Sequence, residues 1–273
     1  MKKHFEGWYY KHQANGQSLA LILGRADDGA FVQVVTDSRA YNIPYPLSEY
    51  RKAANRVSVG GNTFSPSGIT LDISHPELTL FGEIGYTGLT PINGDIMGPF
   101  RFFPMECRHG IVSMKHELSG TVTLNGEMID FTGGVGYIES DSGRSFPDWY
   151  TWVHCNDFER DCSIMVSVAR IPFCGLRFRG CICVVWIDGR EYRLATYNGV
   201  KILRCEPGRI ELKRGKYRLS VTVKPREGHE LPAPRSGVMS RIIRENLSCP
   251  ARFRFLEGGR VLLDEKSRCA SYE

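Results

Sequence analysis

The sequence predicts an all-β protein made of two antiparallel β domains. Apolar residues fall in many short runs, turn-forming residues separate those runs about every eight to twelve positions, and helical patterns are rare. Such spacing is typical of β-sandwiches and β-barrels and argues against a parallel sheet with helical crossovers. We expect a first domain at residues 1–145 and a second at residues 146–273.

The first half of the chain has the pattern of an antiparallel meander. Asp28-Gly29 and Asn125-Gly126 are strong hairpin signals, because both residue types accept the positive φ of a tight turn. Another turn is rich in glycine, asparagine and proline. The predicted strands of this half are 19–23, 31–35, 57–59, 69–73, 118–124 and 127–131.

The second half repeats this pattern with one exception. Asp188-Gly189 and Gly258-Gly259 are again turn signals between apolar runs. Residues 236–247 predict a short helix, because Val238, Ile242 and Ile243 fall near helical spacing. The predicted strands of this half are 163–170, 180–187, 191–197, 209–213, 217–224, 251–257 and 260–264.

Residues 133–156, GGVGYIESDSGRSFPDWYTWVHCN, join the two predicted halves. Glycine permits positive φ and close backbone approach, and proline ends strand pairing, so Gly143 and Pro147 predict a bend. The bend would gather the carboxylates Glu139 and Asp141 with an arginine and several aromatic rings. We expect the two domains to meet here.

An aromatic strand follows the bend. Side chains alternate between the two faces of a strand, so every second residue shares a face. Core packing alone would account for the tryptophans, but His154 and Asn156 need hydrogen-bond partners when buried, which favours a ligand site. The face in question carries Tyr150, Trp152, His154 and Asn156.

The composition predicts a folded protein without a membrane-spanning segment. The chain has 273 residues and is 42% hydrophobic, which is enough for a sizeable core. No run of about 18 uncharged apolar residues occurs, and the N-terminal MKKHFEGWYY lacks the apolar run of a signal peptide. Nine cysteines without CxxC spacing predict free thiols in a reducing compartment. We expect a cytoplasmic protein.

The charge is unevenly distributed. Residues 1–145 carry 12 Lys and Arg against 15 Asp and Glu, a charge of −3, whereas residues 146–273 carry 23 against 15, a charge of +8. A basic half could bind an anionic membrane surface or a nucleic acid. The same charge would also result from strands whose basic side chains simply face solvent. We expect peripheral contact with the inner face of a membrane and no nucleic-acid partner.

Motifs for nucleotide or metal cofactors are absent from the sequence. GGVG at 133–136 lacks the GxGxxG pattern, and no P-loop, GxSxG or HExxH motif occurs. His109 and His116 lie seven positions apart, so on a continuous strand they would point to opposite faces and not share a metal ion. We predict neither a cofactor nor a metal site.

Four segments carry a resemblance to a known family: FEGWYYK at 5–11, GPFRFFPMECRH at 98–109, GYIESDSGRSFP at 136–147 and YTWVHCN at 150–156. In this order they resemble the tocopherol cyclase family, and more distantly the carotenoid hydratases. The resemblance spans nearly the whole chain. It implies a carboxylic acid at position 139, as in both groups.

The resemblance implies two lipocalin-like antiparallel β-barrels that bind a lipophilic small molecule at their mouths or interface. It also implies a cofactor-independent cyclase, in which an acid protonates the alkene of a prenylated hydroquinone and the phenol oxygen closes a chromanol ring. Two alternatives stay open. One is a hydratase or cyclase of another isoprenoid or polyene, and the other is a non-catalytic carrier of a lipophilic ligand.

The resemblance and the local sequence together select the candidate site residues. The candidate catalytic residues are Glu139, Asp141, Glu6 and His109. The candidate substrate-binding residues are Trp8, Tyr10, Glu106, Tyr137, Arg144, Trp149, Trp152, His154 and Asn156.

Glu139 is the preferred proton donor among these acids. It directly follows Tyr137 and Ile138, and burial against such side chains raises the pKa of a carboxyl group. Glu6 is the second candidate, because its aromatic neighbours could remove it from water. A carboxyl group that stays protonated near neutral pH is what alkene protonation requires.

The other two acids are expected to be ionised. Asp141 is close in sequence to Arg144, which would hold it as a carboxylate that orients the substrate. Glu106 is flanked by Arg101 and Arg108, and pairing with them would lower its pKa and make it a poor acid.

Overall fold

The computed structural model describes residues 4–173 and 175–273. This part of the chain is all-β, as predicted, and forms two large antiparallel sheets. The first sheet uses strands up to Gly143, and the second uses strands from Tyr150 onward. The division into domains at residues 145 and 146 stays a prediction. Three short 3-10 helices accompany the strands: Leu47–Glu49, Gly98–Phe102 and Thr196–Asn198.

The first sheet is built around its first and last strands. Strand β1 pairs with β2 and β12, and β12 also pairs with β10. The order is β4-β3-β2-β1-β12-β10-β9-β8-β7-β6-β5, with β11 added to β10. The strands are β1 (Phe5–Ala14), β2 (Gln17–Ala26), β3 (Gly29–Thr36), β4 (Ala40–Tyr45), β5 (Tyr50–Ala53), β6 (Arg56–Val59), β7 (Asn62–Ser65), β8 (Gly68–His75), β9 (Leu78–Thr87), β10 (Cys107–Leu124), β11 (Glu127–Asp130) and β12 (Val135–Gly143).

The second sheet follows the same plan, with its first strand β13 between β14 and the last strand β22. The order is β16-β15-β14-β13-β22-β21-β19-β18-β17, with β20 paired to β21. The strands are β13 (Tyr150–Cys155), β14 (Cys162–Phe173), β15 (Leu176–Ile187), β16 (Arg190–Arg193), β17 (Lys201–Glu206), β18 (Arg209–Arg214), β19 (Tyr217–Val223), β20 (His229–Arg235), β21 (Val238–Glu257) and β22 (Arg260–Tyr272).

The sheets are open, so the expectation of closed barrels is corrected. Within residues 4–173 and 175–273, the pairing of the first sheet ends at β4 and β5, and that of the second ends at β16 and β17. These edge strands have only four to six residues each. Short edge strands that carry proline, lysine or arginine resist further pairing, and all four have such a residue.

Three predicted hairpin turns have the expected geometry, and at Gly258-Gly259 the two φ angles are 57° and 90°. Asn125 and Gly126 have φ of 49° and 88°, and Asp188 and Gly189 have φ of 47° and 80°. Positive φ at both central residues is the signature of the tight turn that matches the twist of the flanking strands. Asn125-Gly126 and Asp188-Gly189 fix the register of β10 with β11 and of β15 with β16.

The predicted helix at 236–247 is wrong. Ser236 and Gly237, with φ of 53° and 86°, form a turn between β20 and the 20-residue strand β21. Exposure alternates from Met239 to Arg244, which is the period of two residues that a strand requires. The four-residue spacing of Val238 and Ile242 fits both a helix and one face of a strand, and pairing with β20 decided between them.

Each sheet packs its apolar side chains into a hydrophobic core of its own, and a third apolar cluster joins the two sheets. The third cluster packs Tyr9, Met114 and Tyr137 of the first sheet against residues such as Trp152 and Leu247 of the second. The interface also holds buried hydrogen bonds. Lys11 Nζ donates to the Cys269 carbonyl at 2.8 Å, Ser163 Oγ to the Met114 carbonyl at 2.6 Å, and Asn156 Nδ2 to the Gly136 carbonyl at 2.8 Å.

The cysteines in the described part of the chain are free thiols, in line with the prediction. Cys174 was predicted to be free as well, and it lies outside the described residues. Among residues 4–173 and 175–273, none of the helices has the length and apolar character needed to cross a membrane.

Candidate functional site

A cavity of about 180 Å³ lies between the two sheets. Its wall is mainly apolar and aromatic, and it includes Trp8 and Tyr9 of β1, Trp152 of β13, and Phe178 and Ile182 of β15. Apolar cavities of about 150 Å³ accept a ligand the size of benzene. The cavity is therefore large enough for an aromatic ring or a short isoprenoid segment.

One wall of the cavity carries an acid–imidazole cluster. Glu139 and Asp141 lie two positions apart on β12 and thus on one face of the strand, and His109 is paired with Asp141 across the β10–β12 ladder. His109 Nδ1 lies 3.1 Å from Asp141 Oδ1, and Nε2 lies 3.4 Å from Glu139 Oε2. The Tyr137 hydroxyl donates to Glu139 Oε2 at 2.5 Å.

The electrostatics of this cluster keep Glu139 partly protonated near neutral pH. Burial raises the pKa of Glu139, the His109 imidazolium opposes this, and Asp141 adds to it, so the pKa is about 7. Burial lowers the pKa of His109, but the charges of Glu139 and Asp141 outweigh burial and raise it to about 9. His109 is therefore a cation at pH 7, and Glu139 can give or take a proton.

Aromatic side chains pack against this cluster on the side away from the cavity. The His154 ring stacks on the Tyr137 ring with 3.6 Å between centroids, and the Trp152 ring stacks on His154 at 6.1 Å. Burial lowers the pKa of His154 well below its usual range, so the ring is neutral at pH 7. Tyr137, His154 and Asn156 thus support the cavity wall without lining the cavity.

The bend after β12 keeps the cluster in place. Gly143 has φ of 151°, and a Cβ atom there would lie only 2.2 Å from the Glu106 carbonyl oxygen. A side chain at this position would therefore push β12 away from the segment that leads into β10. Gly143 lies two residues after Asp141 on the same strand, so a displacement of the backbone at Gly143 would also move the acid cluster.

Two acids that line the cavity, Glu245 and Glu273, were missed in the sequence. Glu245 of β21 is buried in the cavity wall and accepts a hydrogen bond from the Tyr9 hydroxyl at 2.7 Å. Burial raises its pKa to about 7, with Tyr9 and Lys11 opposing the shift. Glu245 shares a strand face with Ile243 and Leu247, so an acid on an apolar face would have been visible had the stretch been interpreted as a strand.

Glu6 does not belong to the acidic wall, which corrects its place as second candidate donor. Its carboxylate pairs with Arg25 at 2.7 Å and Lys52 at 2.5 Å, and it accepts a hydrogen bond from Tyr50. Burial raises the pKa of Glu6, but the hydrogen bonds from Lys52 and Arg25 outweigh burial and lower it. Glu6 is ionised at pH 7 and is a poor acid.

Besides Glu106, which is described below, three predicted substrate-binding residues lie away from the cavity. Tyr10 packs in the core of the first sheet, with its ring 5.4 Å from that of Phe64. Trp149 packs on the core of the second sheet beneath the Arg179 guanidinium. The Arg144 side chain is exposed.

The predicted pairings of the two remaining acids are wrong. Asp141 contacts His109 and the Cys107 thiol, and no ion pair with Arg144 occurs in the described part of the chain. Glu106 likewise makes no ion pair with its neighbouring arginines among the described residues, and it borders a separate polar pocket outside the cavity. Local sequence separation was a poor guide, because strand alternation points neighbouring side chains to opposite faces.

Among residues 4–173 and 175–273, His109, Glu139 and Asp141 form a group that could hold a metal ion. Their donor atoms lie within 4.8 Å of one another. One imidazole and two carboxylates suit a divalent cation. The ring nitrogens of His109 face the carboxylates at ion-pair distances, which is the arrangement of a proton-sharing cluster. The absence of a metal site stays a prediction.

Solved structures share this fold at low sequence identity. Kievitone hydratase from Nectria haematococca is 12% identical with a TM-score of 0.59, covering 98% of this chain and 88% of its own. A putative AttH from Nitrosomonas europaea is 13% identical with a TM-score of 0.55, covering 98% and 92%. CghA is 10% identical with a TM-score of 0.63, covering 99% and 88%. These likenesses show the fold alone.

Sequence comparison gives the family. No curated protein sequence matches the chain. A family model described as tocopherol cyclase-like matches residues 86–273, which include the acid cluster, Trp152 and Glu245 but not β1. Because this match covers more than half of the chain, the protein belongs to the tocopherol cyclase-like family.

Proposed function

We propose that the protein is a cofactor-independent cyclase that closes a chromanol ring on a prenylated hydroquinone. Membership of the tocopherol cyclase-like family supports this reaction class. The observation that carries the proposal is a buried carboxyl group, Glu139, with a pKa of about 7 in the wall of a mainly apolar cavity. An acid whose pKa lies near the working pH is efficient in proton transfer.

Glu139 supplies the proton in the first step. Its protonated carboxyl group transfers a proton to one carbon of the trisubstituted alkene, which leaves a tertiary cation on the other carbon. The rings of Trp8, Tyr9 and Trp152 line the same cavity and can stabilise that positive charge through their π faces. A bound prenyl chain that fills the mainly apolar cavity would displace water, the nucleophile that would otherwise capture the cation.

Glu245 accepts the proton that is lost in the second step. The phenol oxygen bonds to the tertiary carbon, and the phenol proton moves to the Glu245 carboxylate. Substrate and product are isomers, because one proton is added to carbon and one is lost from oxygen. The charge of Glu245 contributes to the raised pKa of Glu139. Loss of a proton from Glu245 and uptake of one by Glu139 restore the site for the next turnover.

His109 and Asp141 act as positioning residues. The His109 imidazolium, held by Asp141, lies 3.4 Å from Glu139 and keeps the pKa of Glu139 from rising further. Tyr137 fixes the orientation of the same carboxyl group through its hydrogen bond. The acid is thus tuned to a pKa near neutrality by groups on two adjacent strands.

The test is turnover of a prenylated hydroquinone by the purified protein, followed by mass and chromatographic retention. The proposal predicts a product of unchanged mass and altered retention. A product heavier by one water would instead make the protein a hydratase. Binding of the quinol without any product would make it a carrier of lipophilic ligands, and either result would overturn the cyclase proposal.

A further inference from the structure

We propose that the protein docks on an anionic lipid bilayer through one end of the molecule, here called the docking tip. The docking tip consists of residues 98–108, 170–173 and 175–179. The first segment contains the 3-10 helix Gly98–Phe102, and the others form the end of the β14–β15 hairpin. This surface goes beyond the proposed reaction and does not depend on it.

The docking tip exposes large apolar side chains on both of its parts. Phe102 is 75% exposed, Leu176 is 74% exposed and Phe103 is 43% exposed. The two parts meet where the Phe100 ring stacks on the Phe178 ring, with centroids 6.2 Å apart. Exposing several apolar groups at one end of a molecule to water costs free energy, and such a patch is typical of an interaction surface.

The apolar surface of the tip continues into the cavity. Leu176, Phe178 and Gly180 alternate along β15 and so share one face of the strand. Phe178 and Gly180 line the cavity, whereas Leu176 is exposed at the end of the hairpin. On the neighbouring segment, Phe100 lines the cavity and Phe102 is exposed. A lipophilic molecule therefore has an apolar path from the tip to the cavity.

Basic side chains surround these apolar groups. The tip contains five arginines and one acid, Glu106. The Arg101 guanidinium lies over the Phe102 ring at 4.6 Å. Asp148 pairs with Arg170 and Arg177 from outside the tip, and even when it is counted the arginines outnumber the acids. The tip is therefore strongly cationic.

An anionic bilayer is the partner that matches both features. Exposed phenylalanine and leucine side chains insert at the boundary between headgroups and acyl chains, and arginines gain electrostatic attraction from anionic headgroups. A nucleic acid would match the arginines but would leave Leu176 and Phe103 without a function. The apolar path connects the bilayer with the cavity, and any lipophilic ligand of the cavity would partition into the bilayer.

The test is binding to sedimented vesicles of phosphatidylcholine with or without phosphatidylserine. We expect the parent protein to bind the anionic vesicles and not the neutral ones. The double variant Phe102→Ala with Leu176→Ala should lose about tenfold or more in partition coefficient. The control is Met128→Ala, because Met128 is also an exposed apolar residue, at 76%, but lies on β11 at the far end of β10.

A second pair of variants isolates the charge. Arg101→Gln with Arg177→Gln should weaken binding to anionic vesicles by roughly tenfold or more. Arg56→Gln with Arg260→Gln removes the same net charge from exposed first residues of strands β6 and β22 and should have little effect. All substituted side chains are exposed, so thermal unfolding should be unchanged and serves as the check on folding.

Three results would overturn the proposal. They are equal binding to neutral and anionic vesicles, equal losses in the tip and control variants, and affinity for an oligonucleotide with none for vesicles. Glu139→Gln, which lies inside the cavity, should bind vesicles like the parent protein. A failure of docking and a failure of the proposed reaction are therefore distinguishable.

Discussion

Glu139 is the residue on which the proposed chemistry depends. Glu139→Gln replaces the acid by an amide of the same shape, so we expect the fold and ligand affinity to persist and the turnover rate to fall by at least about a hundredfold. Glu127→Gln is the matched control, because Glu127 is exposed on β11. Near-parental turnover by Glu139→Gln would transfer the donor role to Glu245, whose pKa is also about 7.

The raised pKa of Glu139 has a consequence for stability. Its pKa in the folded protein is about 7, above the value of 4.5 for an unperturbed glutamate, so the folded state binds the proton more tightly and loses stability as pH rises through this window. Glutamine cannot ionise. We expect Glu139→Gln to gain up to about 3 kcal/mol relative to the parent between about pH 5 and pH 8. Urea unfolding at the two pH values measures this, and a difference that is independent of pH would contradict it.

His109 is predicted to control the pH dependence of activity. The imidazolium lowers the pKa of Glu139, so His109→Gln should raise it and keep the acid protonated to higher pH. The falling alkaline limb of the pH–rate profile should therefore move upward by about one unit or more. A lower rate with an unmoved limb would show that His109 has only a packing role. His75→Gln, on β8 of the first sheet, is the control.

At the scale of elements, the bend after β12 decides the position of the acid cluster. Gly143→Ala should destabilise the protein by more than about 1 kcal/mol, because the backbone has positive φ and the new Cβ atom would meet the Glu106 carbonyl. Gly94→Ala is the control, since Gly94 also has positive φ but faces open space. Chemical unfolding measures both, and equal losses would show that backbone strain alone, without the steric contact, causes the effect.

Glu245 was missed because its part of strand β21 was predicted to be a helix. A helical pattern places Glu245 on no particular face, whereas a strand places it between Ile243 and Leu247 on the side that packs against the first sheet. The spacing of Val238 and Ile242 fits the period of a helix as well as that of a strand. The turn at Ser236 and Gly237 was the local signal for a hairpin.

The whole molecule should unfold as one unit although the chain divides between two sheets. The third apolar cluster and the buried Lys11–Cys269 hydrogen bond join the sheets, and separating them would expose both to water. We expect urea unfolding curves from tryptophan fluorescence and from far-UV circular dichroism to coincide. Two separated transitions would contradict this and would support the predicted division into domains at residues 145 and 146.

The sequence by itself determined the features that depend on short-range patterns. The all-β class followed from the spacing of apolar runs and turns, and Asn125-Gly126 and Asp188-Gly189 formed the predicted turns. Glu139 and Asp141 share a strand face because they lie two positions apart. These features involve only neighbouring residues and the steric limits of the backbone.

Only the tertiary structure decided which side chains face the cavity and how each acid is paired. Tyr9 and Glu245 are 236 positions apart in the chain and yet share a hydrogen bond, while Glu6, three positions before Tyr9, pairs with Arg25 and Lys52 outside the cavity. The pKa of a carboxyl group depends on burial and on the charges around it. Burial and surrounding charge are both properties of the packed sheets. No local pattern could therefore distinguish Glu139, whose pKa is raised to about 7, from Glu6, whose pKa is lowered.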